Sequence, residues 1–371
     1  MGSSESSEVF FFPYSRSRGY LKELRVLFSR VADAVSSGDS VAVKTHMGEY
    51  GNTGHLRPPI VRRVCDLVKE AGGRPFVTDT TTLYPGRRFT ATQHLATAAF
   101  NGFTEESLGV PIIIADGEQG YDGVCVDIPG RMTECPFDTV KVARKILDAD
   151  SMIVLSHVKG HFLAGFGGAI KNLAMGCVTK ESKAAQHGAT RALMDASLCN
   201  GCGECVDVCL YGAMALVNDR VVRDEEKCMS CNRCFFLCRQ GVFTLPPQAR
   251  EKFAVRVAHA AAGVAGRFRS RSAYMNFVQD VTPLCDCVAA SGLPVVPDIG
   301  ILASRDAVAI DRASLDLIAQ SKAMSEFAHA SYPDILGSLN DADSLEQVRV
   351  AQLLGMGTME YELKEQSRNA G

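Results

Sequence analysis

The chain has 371 residues, a formal net charge of −3, 46% hydrophobic residues and 22% charged residues. These proportions are those of an ordinary globular protein and exclude a mostly disordered chain. The near-neutral charge gives no sign of a nucleic-acid or anionic-membrane partner, and no apolar run approaches the roughly 18 residues of a transmembrane helix. No secretion signal is recognisable, so we expect a cytoplasmic protein that binds neither nucleic acid nor membrane.

The first half of the chain alternates short apolar strands with helices. Strands are predicted at residues 41–43, 75–79, 111–115 and 152–155, and helices at residues 58–71, 88–100 and 139–148. Apolar strands separated by helices are typical of buried parallel strands. The sequence therefore predicts an α/β fold in which a mostly parallel sheet is flanked by helices.

The same alternation resumes near the C-terminus. A basic, Ala-rich stretch at residues 250–271 is predicted to be helical at first and loop-like around Gly266, followed by a strand at 293–298 and helices at 304–320 and 344–354. We therefore predict a discontinuous α/β domain, residues 8–190 and 246–365. A small α+β ferredoxin-like domain, residues 191–245, is predicted to interrupt it.

The interruption is identified by cysteine spacing. Eight of the 14 cysteines lie within 40 residues, in two runs of the form C-x2-C-x2-C-x3-C. This pattern is typical of bacterial ferredoxins with two [4Fe–4S] clusters, in which the fourth cysteine of each run binds the other cluster. The predicted ligands are Cys199, Cys202, Cys205 and Cys238 for cluster one, and Cys228, Cys231, Cys234 and Cys209 for cluster two.

Structural zinc is the alternative for these runs, because C-x2-C pairs also form four-cysteine zinc sites. Zinc gives no reason for the third cysteine of each run, so we favour the clusters. Leu210 and Arg239 stand where such ferredoxins usually have proline after the fourth cysteine. The other six cysteines are expected to be buried apolar thiols, and only Cys285 and Cys287 have a ligand-like spacing.

Polar residues follow the predicted strands, and ligands of parallel α/β sheets bind at the carboxyl ends of the strands. The candidate catalytic residues are Lys44, His46, His157, Lys159, His161 and Lys171. The candidate substrate-binding residues are Asp79, Gly167, Gly168, Asn172 and Asp298. The glycines precede a predicted helix whose free N–H groups would suit an anion. Each residue also has a structural alternative, such as helix capping by Asp79.

Several of these motifs together resemble one known family. They are Val41-Ala42-Val43-Lys44, Gly72-Gly73 with Asp79, Ser156-His157-x-Lys159, Ala169-Ile170-Lys171-Asn172 and the region from Asp298 to Asp311. They resemble the iron–sulfur "domain of unknown function" family numbered 362, whose members often carry a two-cluster ferredoxin segment. The resemblance covers about residues 40–320 and implies an architecture, but it implies no substrate.

The expected function is that of an iron–sulfur oxidoreductase, a reductase. An external low-potential donor would supply electrons through the two clusters to a small anionic or carbonyl-bearing substrate, while lysine and histidine side chains bind it and supply protons. No NAD or flavin motif is present. One alternative is a non-enzymatic electron-transfer or cluster-handling protein, and another is a cleft metal site formed by His46, His157 and His161. A homo-oligomer is compatible with either function.

Overall fold

The computed structural model describes residues 6–16 and 19–366. Within these residues the strands are β1 (Ser7–Pro13), β2 (Ser40–Lys44), β3 (Arg74–Asp79), β4 (Ile112–Ile114), β5 (Gly123–Asp127), β6 (Thr139–Ala143), β7 (Ser151–His157), β8 (Lys159–His161), β9 (Gly165–Gly167), β10 (Leu193–Met194), β11 (Met214–Val217), β12 (Arg220–Arg223), β13 (Phe243–Thr244), β14 (Ser272–Val278), β15 (Gly300–Ser304) and β16 (Tyr361–Glu365). The helices are α1 (Tyr20–Ser29), α2 (Pro58–Glu70), α3 (Ala91–Phe100), α4 (Glu105–Leu108), α5 (Arg144–Leu147), α6 (Ala169–Gly176), α7 (Lys180–His187), α8 (Glu204–Asp207), α9 (Arg233–Leu237), α10 (Ala249–Phe268), α11 (Ala307–Gln320), α12 (Ile335–Asn340) and α13 (Glu346–Leu353).

The centre of the molecule is an eight-stranded sheet in the order β16-β1-β15-β14-β7-β2-β3-β4. The five strands from β14 to β4 are parallel, β15 runs antiparallel to both of its neighbours, and β1 and β16 are parallel to each other. Helices cover both faces. The prediction of an α/β fold with a mostly parallel sheet flanked by helices is confirmed.

Each face of the sheet has its own hydrophobic core, because side chains alternate along a strand. In β7, Met152 and Val154 pack in the core that α6, α10 and α11 cover, whereas Ile153 and Leu155 pack in the core that α1 and α2 cover. All seven residues of β7 are buried, and so are all seven of β14. Such strands lack polar alternation because both of their faces lie against helices.

Three predicted elements differ from the structure. Residues 139–143 form β6 rather than the start of a helix, because Val140 and Val142 alternate with period two and the strand pairs with β5. Helix α10 continues through Gly266. Residues 293–298 form no strand, since Pro294 and Pro297 cannot donate to a ladder. The sheet strands on either side of this stretch are β14 and β15, neither of which was predicted.

The cysteine-rich segment, residues 193–244, begins and ends side by side, because β10 pairs antiparallel with β13. Between them lie α8, α9 and the antiparallel pair β11 and β12. Its buried side chains form a small core of their own, comprising Ala192, Cys205, Met214, Val221, Val242 and Phe243. Among the described residues of the whole chain, no helix is long and apolar enough to cross a membrane.

Candidate functional site

The carboxyl ends of three neighbouring parallel strands place charged side chains at one edge of the sheet. Lys44 ends β2, Asp79 ends β3 and His157 ends β7. The loop that follows β14 closes over this edge, where the amide of Glu49 donates to the carbonyl oxygen of Asp286 at 2.8 Å. We refer to the space bounded by Lys44, Asp79, Lys159, Lys171 and Asp286 as the cleft.

Asp286 is the fully buried carboxylate of the cleft. It lies 3.0 Å from His157 Nδ1 and 3.3 Å from Lys159 Nζ. Burial alone would raise the pKa of Asp286, but His157 and Lys159 outweigh it and hold the pKa well below its usual range. The Nε2 atom of His157 lies 2.8 Å from the carbonyl oxygen of Gln279. Both ring nitrogens therefore face acceptors, and His157 anchors Asp286.

Lys44, one of the predicted catalytic residues, is fully engaged by its neighbours. Its ammonium group donates to Asn172 Oδ1 at 2.6 Å and to the Thr45 carbonyl oxygen at 3.3 Å, and it lies 3.0 Å from Asp79 Oδ1. Three acceptors use the three protons of a lysine. Although burial would raise the pKa of Asp79, Lys44 and His94 hold it below its usual range. Lys44 and Asp79 thus tie β2 to β3.

Asn172 is equally saturated. Its amide donates to the Leu155 carbonyl oxygen at 2.9 Å and to Ser156 Oγ at 3.1 Å, while its oxygen accepts from Lys44. These bonds hold the start of α6 against the end of β7. With its side-chain oxygen and nitrogen both engaged in this way, Asn172 positions the cleft wall.

His46 is held between donors. Its Nδ1 accepts from the amide of Gly48 at 3.0 Å, and Nη1 of Arg88 lies 2.9 Å from Nε2. Burial and the positive charge of Arg88 lower the pKa of His46 well below its ordinary value. The imidazole is therefore neutral at pH 7 and is a poor proton donor.

The alternative metal site of three histidines is not formed in the part of the chain that the structure describes. His46 and His157 are engaged as above, and His161 instead lies with its ring nitrogen within 4.8 Å of the sulfurs of Cys285 and Cys287. These two cysteines form a disulfide. The amides of Leu163 and Ala164 donate to His161 Nδ1, and burial lowers the pKa of His161 well below its ordinary value.

Lys171 differs from the other charged residues of the cleft. Among the described residues, no hydrogen bond or ion pair engages its ammonium group. Burial, followed by the charge of Lys159, lowers the pKa of Lys171 to about 7. A methyl group added at Gly167 would lie 3.6 Å from Lys171 Cδ and 3.8 Å from Lys159 Cε. The two lysine side chains therefore converge over the bare backbone of Gly167.

The other predicted binding residues have different roles. The carboxylate of Asp311 accepts from the amides of Ala169 and Ile170 at 2.7 and 2.9 Å, so the protein's own side chain occupies the helix N-terminus that we expected to bind substrate. A Cβ at Gly168 would collide with that carboxylate at 2.3 Å. Asp298 lies outside the cleft and lines a separate open pocket of about 390 Å³ with Tyr14 and Arg57.

The cleft has an excess of positive charge. Its electrostatically coupled groups comprise four cations, Lys44, Arg88, Lys159 and Lys171, and three carboxylates, Glu49, Asp79 and Asp286. The three carboxylates pair with Lys44, Arg88 and Lys159, so none of these three carboxylates pairs with Lys171. The side chain of Lys159 is 12% exposed. The arrangement is therefore suited to a small anion that reaches Lys159 and Lys171.

Cysteines from the two runs of the cysteine-rich segment lie close to one another. Cys205 interacts electrostatically with Cys199 and Cys202 and also with Cys238, from the end of the other run. Cys231 correspondingly interacts with Cys228 and with Cys209. A cavity between the runs is lined by Cys205, Cys209, Cys228, Cys231 and Cys234.

The two runs also share one backbone conformation. The third and fifth residues of each run have positive φ: Gly201 and Gly203 in the first run, and Ser230 and Asn232 in the second. Backbone amides donate to two of the sulfurs, from Gly201 to Cys199 Sγ at 3.4 Å and from Ala213 to Cys209 Sγ at 3.3 Å. The eight cysteine sulfurs and the backbone conformation of the two runs fit two cubane iron–sulfur clusters.

Sequence reasoning missed Asp286, which organises the cleft from 129 positions beyond His157. The sequence feature that could have pointed to Asp286 is its two neighbours, Cys285 and Cys287. Their spacing was the only ligand-like one outside the two cysteine runs. The sequence also did not identify Glu49, which accepts from Arg88 Nε at 3.1 Å. No local pattern marks this residue.

The fold and this site define a class: α/β proteins with a lysine-lined cleft at the carboxyl edge of a sheet and a cysteine-rich segment that offers metal ligands. Within that class, the chain belongs to the family described as domain of unknown function DUF362, whose model matches residues 41–316. The family is thereby confirmed.

More distant similarities are partial. A thylakoid-associated protein of Synechocystis sp. is 28% identical over 159 residues, which cover 41% of this chain and 43% of that relative. The lactate racemase apoprotein of Thermoanaerobacterium thermosaccharolyticum is 12% identical with a TM-score of 0.39, covering 85% of this chain and 58% of that one. A Thermotoga maritima protein is 13% identical with a TM-score of 0.39, covering 76% and 55%. The chain spans less than two thirds of each, and these scores carry no functional argument.

Proposed function

We propose that the protein is an iron–sulfur oxidoreductase, a reductase that transfers electrons to a small anionic or carbonyl-bearing substrate in the cleft. The observation that carries this proposal is Lys171, an amine that has no partner among the described residues and a pKa of about 7, next to Lys159. A group with such a pKa gains and releases protons near neutral pH, as a general acid requires. Perturbed ionisable groups of this kind gather at active sites.

The proposed ligands of the two [4Fe–4S] clusters are the eight cysteines in their crossed grouping. When bound, such clusters carry one electron each. Cys202 of the first set is exposed, which supports the approach of an external low-potential donor on that side. The proposal includes a cytoplasmic location, where reducing conditions keep thiols available as ligands.

Contacts between the cysteine-rich segment and the α/β sheet support a short route for electrons. The ring of Phe162, next to the end of β8, lies 5.5 Å from Phe236 and 6.3 Å from Phe235, which follow Cys234 directly. A second contact joins Tyr211, whose hydroxyl donates to the Leu83 carbonyl oxygen at 2.6 Å. The second cysteine set is therefore proposed to face the cleft.

In the cleft, Lys159 and Lys171 would bind the anionic group or polarise the carbonyl of the substrate. Asp286 and the carbonyl oxygen of His157, which accepts from Lys159 Nζ at 2.7 Å, fix the Lys159 side chain. The ammonium group of Lys171 would give its proton to the reduced substrate. A preorganised cation pair of this kind stabilises negative charge that develops during reduction.

The test is the reoxidation of chemically reduced protein. Protein purified without oxygen is reduced with dithionite, and the visible absorbance is followed on addition of small oxo-acids and unsaturated carboxylates. We expect at least one compound to reoxidise the wild type and Lys171→Met to slow this by about 10²-fold or more, the usual contribution of a general acid. Lys145→Met, at a solvent-exposed lysine paired with Asp148, is the matched control.

The pH profile gives a second readout. A lysine whose pKa is about 7 is protonated below that pH and neutral above it. Because the proposed role needs the ammonium form, reoxidation should slow as the pH rises through about 7. Equal rates in wild type and Lys171→Met at every pH would overturn the proposal and favour a non-enzymatic electron carrier.

A further inference from the structure

Cys285 and Cys287 flank the carboxylate that organises the cleft, yet the function proposed above does not use them. The two sulfurs form a disulfide across Asp286, which contacts His157 and Lys159. Cys285 is buried, whereas Cys287 is partly exposed. Tyr84 holds the loop of the pair by donating to the carbonyl oxygen of Cys287 at 3.2 Å.

The hydrogen bonds of His161 decide what it offers to the sulfurs. A ring nitrogen lies within 4.8 Å of both sulfurs. Backbone amides can only donate, so the bonds from Leu163 and Ala164 at 3.2 and 3.1 Å occupy the Nδ1 lone pair. The proton of the neutral ring is then on Nε2, and a metal ligand would need a free lone pair there. Neither ring nitrogen therefore offers a free lone pair, so His161 is poorly suited to bind a metal.

The same loop connects the disulfide to the cysteine-rich segment. Phe162 follows His161 in the chain and lies against Phe235 and Phe236, which follow Cys234. On the other side, Gly160 donates to the carbonyl oxygen of Thr282 at 2.8 Å, and a Cβ at Gly160 would lie 2.1 Å from the carbonyl oxygen of Pro283. Residues 160–162 thus touch both the loop of the disulfide and the neighbours of Cys234.

We propose that Cys285 and Cys287 are a redox-active dithiol–disulfide couple between the cysteine-rich segment and the cleft. The couple would accept two electrons and two protons: the S–S bond breaks, and each sulfur gains one electron and one proton to become a thiol. The electrons come one each through the two proposed clusters, which an external one-electron donor of low potential reduces again. This inference rests on the proposed function, because it requires the clusters.

Reduction of the couple would change the cleft directly. Opening the bond releases the loop on both sides of Asp286, the residue that fixes Lys159. The partly exposed sulfur of Cys287 would then be able to pass electrons to a reducible group in the cleft. The couple converts two one-electron deliveries into one two-electron step, which the reduction of a carbonyl or a double bond needs.

The couple can be followed without measuring turnover. The stretch from Ser272 to Arg305 contains no lysine or arginine before its last residue, and Cys285 and Cys287 are its only cysteines. Trypsin therefore releases both sulfurs in one peptide. Full-length protein with assembled clusters is reduced anaerobically with dithionite, quenched in acid, alkylated with iodoacetamide while denatured, digested and weighed. Iron content and visible absorbance are recorded on the same samples.

We expect no alkyl group on this peptide before reduction and two after it. Reduction of the Cys285–Cys287 disulfide should be at least about ten-fold slower in Cys234→Ser and in iron-depleted wild type. Both lack a complete path of clusters for the electrons. The exposed thiol of Cys125 should be alkylated throughout and serves as the internal control.

Three results would overturn the inference. If the clusters lose their absorbance on reduction while the peptide remains a disulfide, the couple is not an acceptor, and the proposed function stands. If the peptide is a dithiol that holds one equivalent of zinc in the isolated protein, the pair is a metal site. If the protein binds no iron, the proposed function fails as well.

Discussion

The cysteine-rich segment and the cleft are both built from reactive side chains, but they are assembled in different ways. In the segment, three ligands of each proposed cluster lie within seven residues of the chain, and the fourth comes from the other run. In the cleft, Lys44 and Asp79 come from the ends of β2 and β3, Lys159 from the start of β8 and Asp286 from the loop after β14. A site whose ligands are close in sequence can be recognised from their spacing. A site assembled from distant segments shows only isolated residues in the sequence.

The two regions also differ in how their charges are balanced. In the cleft, Asp79 and Asp286 pair with lysines that make several bonds each, whereas Lys171 has no partner in the part of the chain that the structure describes. The cysteine-rich segment has thiols grouped around a cavity, where a cationic group would offset the cost of buried thiolates. The cleft is therefore held together mainly by buried ion pairs. The cysteine-rich segment is proposed to be held together by its metal clusters.

The largest effect is expected from changing one cysteine of the segment, which tests the crossed grouping. Cys209→Ser should lose the same cluster as Cys231→Ser, because the two side chains interact although they belong to different runs. Iron should fall from about eight to about four atoms per chain in both variants. Iron analysis and the electron paramagnetic resonance of the reduced protein measure this.

Cys125→Ser, at an exposed cysteine outside both runs, should keep about eight iron atoms. Loss of the same paramagnetic signal by Cys209→Ser and Cys205→Ser, with Cys231→Ser different, would contradict the crossed assignment.

The second effect concerns the buried carboxylate of the cleft. Asp286→Asn removes the buried carboxylate that pairs with His157 and Lys159, and breaking a buried ion pair typically costs about 3–5 kcal/mol. We expect that decrease in the free energy of unfolding, measured by urea denaturation at pH 7. Asp341→Asn is the control, because Asp341 is exposed and pairs with Arg250 at the surface. Its loss should be below about 1 kcal/mol, and equal losses in both variants would show that Asp286 is not a central contact.

The smallest expected effect is a difference in stability between alanine substitutions at two glycines of the cleft. A Cβ at Gly176 would lie 2.1 Å from Cε of Lys44, whose ammonium is fixed by three acceptors, so Gly176→Ala should cost about 1–3 kcal/mol through overpacking. A Cβ at Gly167 would meet Lys171 at 3.6 Å, an ordinary contact, so Gly167→Ala should change stability by less than about 0.5 kcal/mol. Urea denaturation compares the two, and the reverse order would contradict the assigned positions of Lys44 and Lys171.

Much of the sheet was predictable from sequence, because buried parallel strands are short apolar runs between helices. The strands ending at Lys44, Asp79 and His157 were predicted within two residues of their carboxyl ends, and their shared edge followed from the parallel topology. The strand β14 was missed, because a buried strand that follows a helix directly has no separate turn signal.

The roles of the site residues were less predictable than their positions. Lys44 and Lys171 look alike in sequence, yet one has three acceptors and the other has none among the described residues. The difference depends on Asp79 and Asn172, which approach Lys44 from other elements. The expected anion site at the start of α6 failed for the same reason, since Asp311 reaches it from α11.

The reactivity of Lys171 tests the central claim most directly, because it needs no knowledge of the substrate. Native protein is treated briefly with trace acetic anhydride between pH 5 and pH 10, and the acetylation of each lysine is measured by mass spectrometry. We predict that Lys171 gains reactivity with a midpoint near pH 7 and that a small carboxylate such as oxaloacetate protects it. If Lys171 instead follows the solvent-exposed Lys145 across the whole range, the cleft holds no activated amine and the proposed site is wrong.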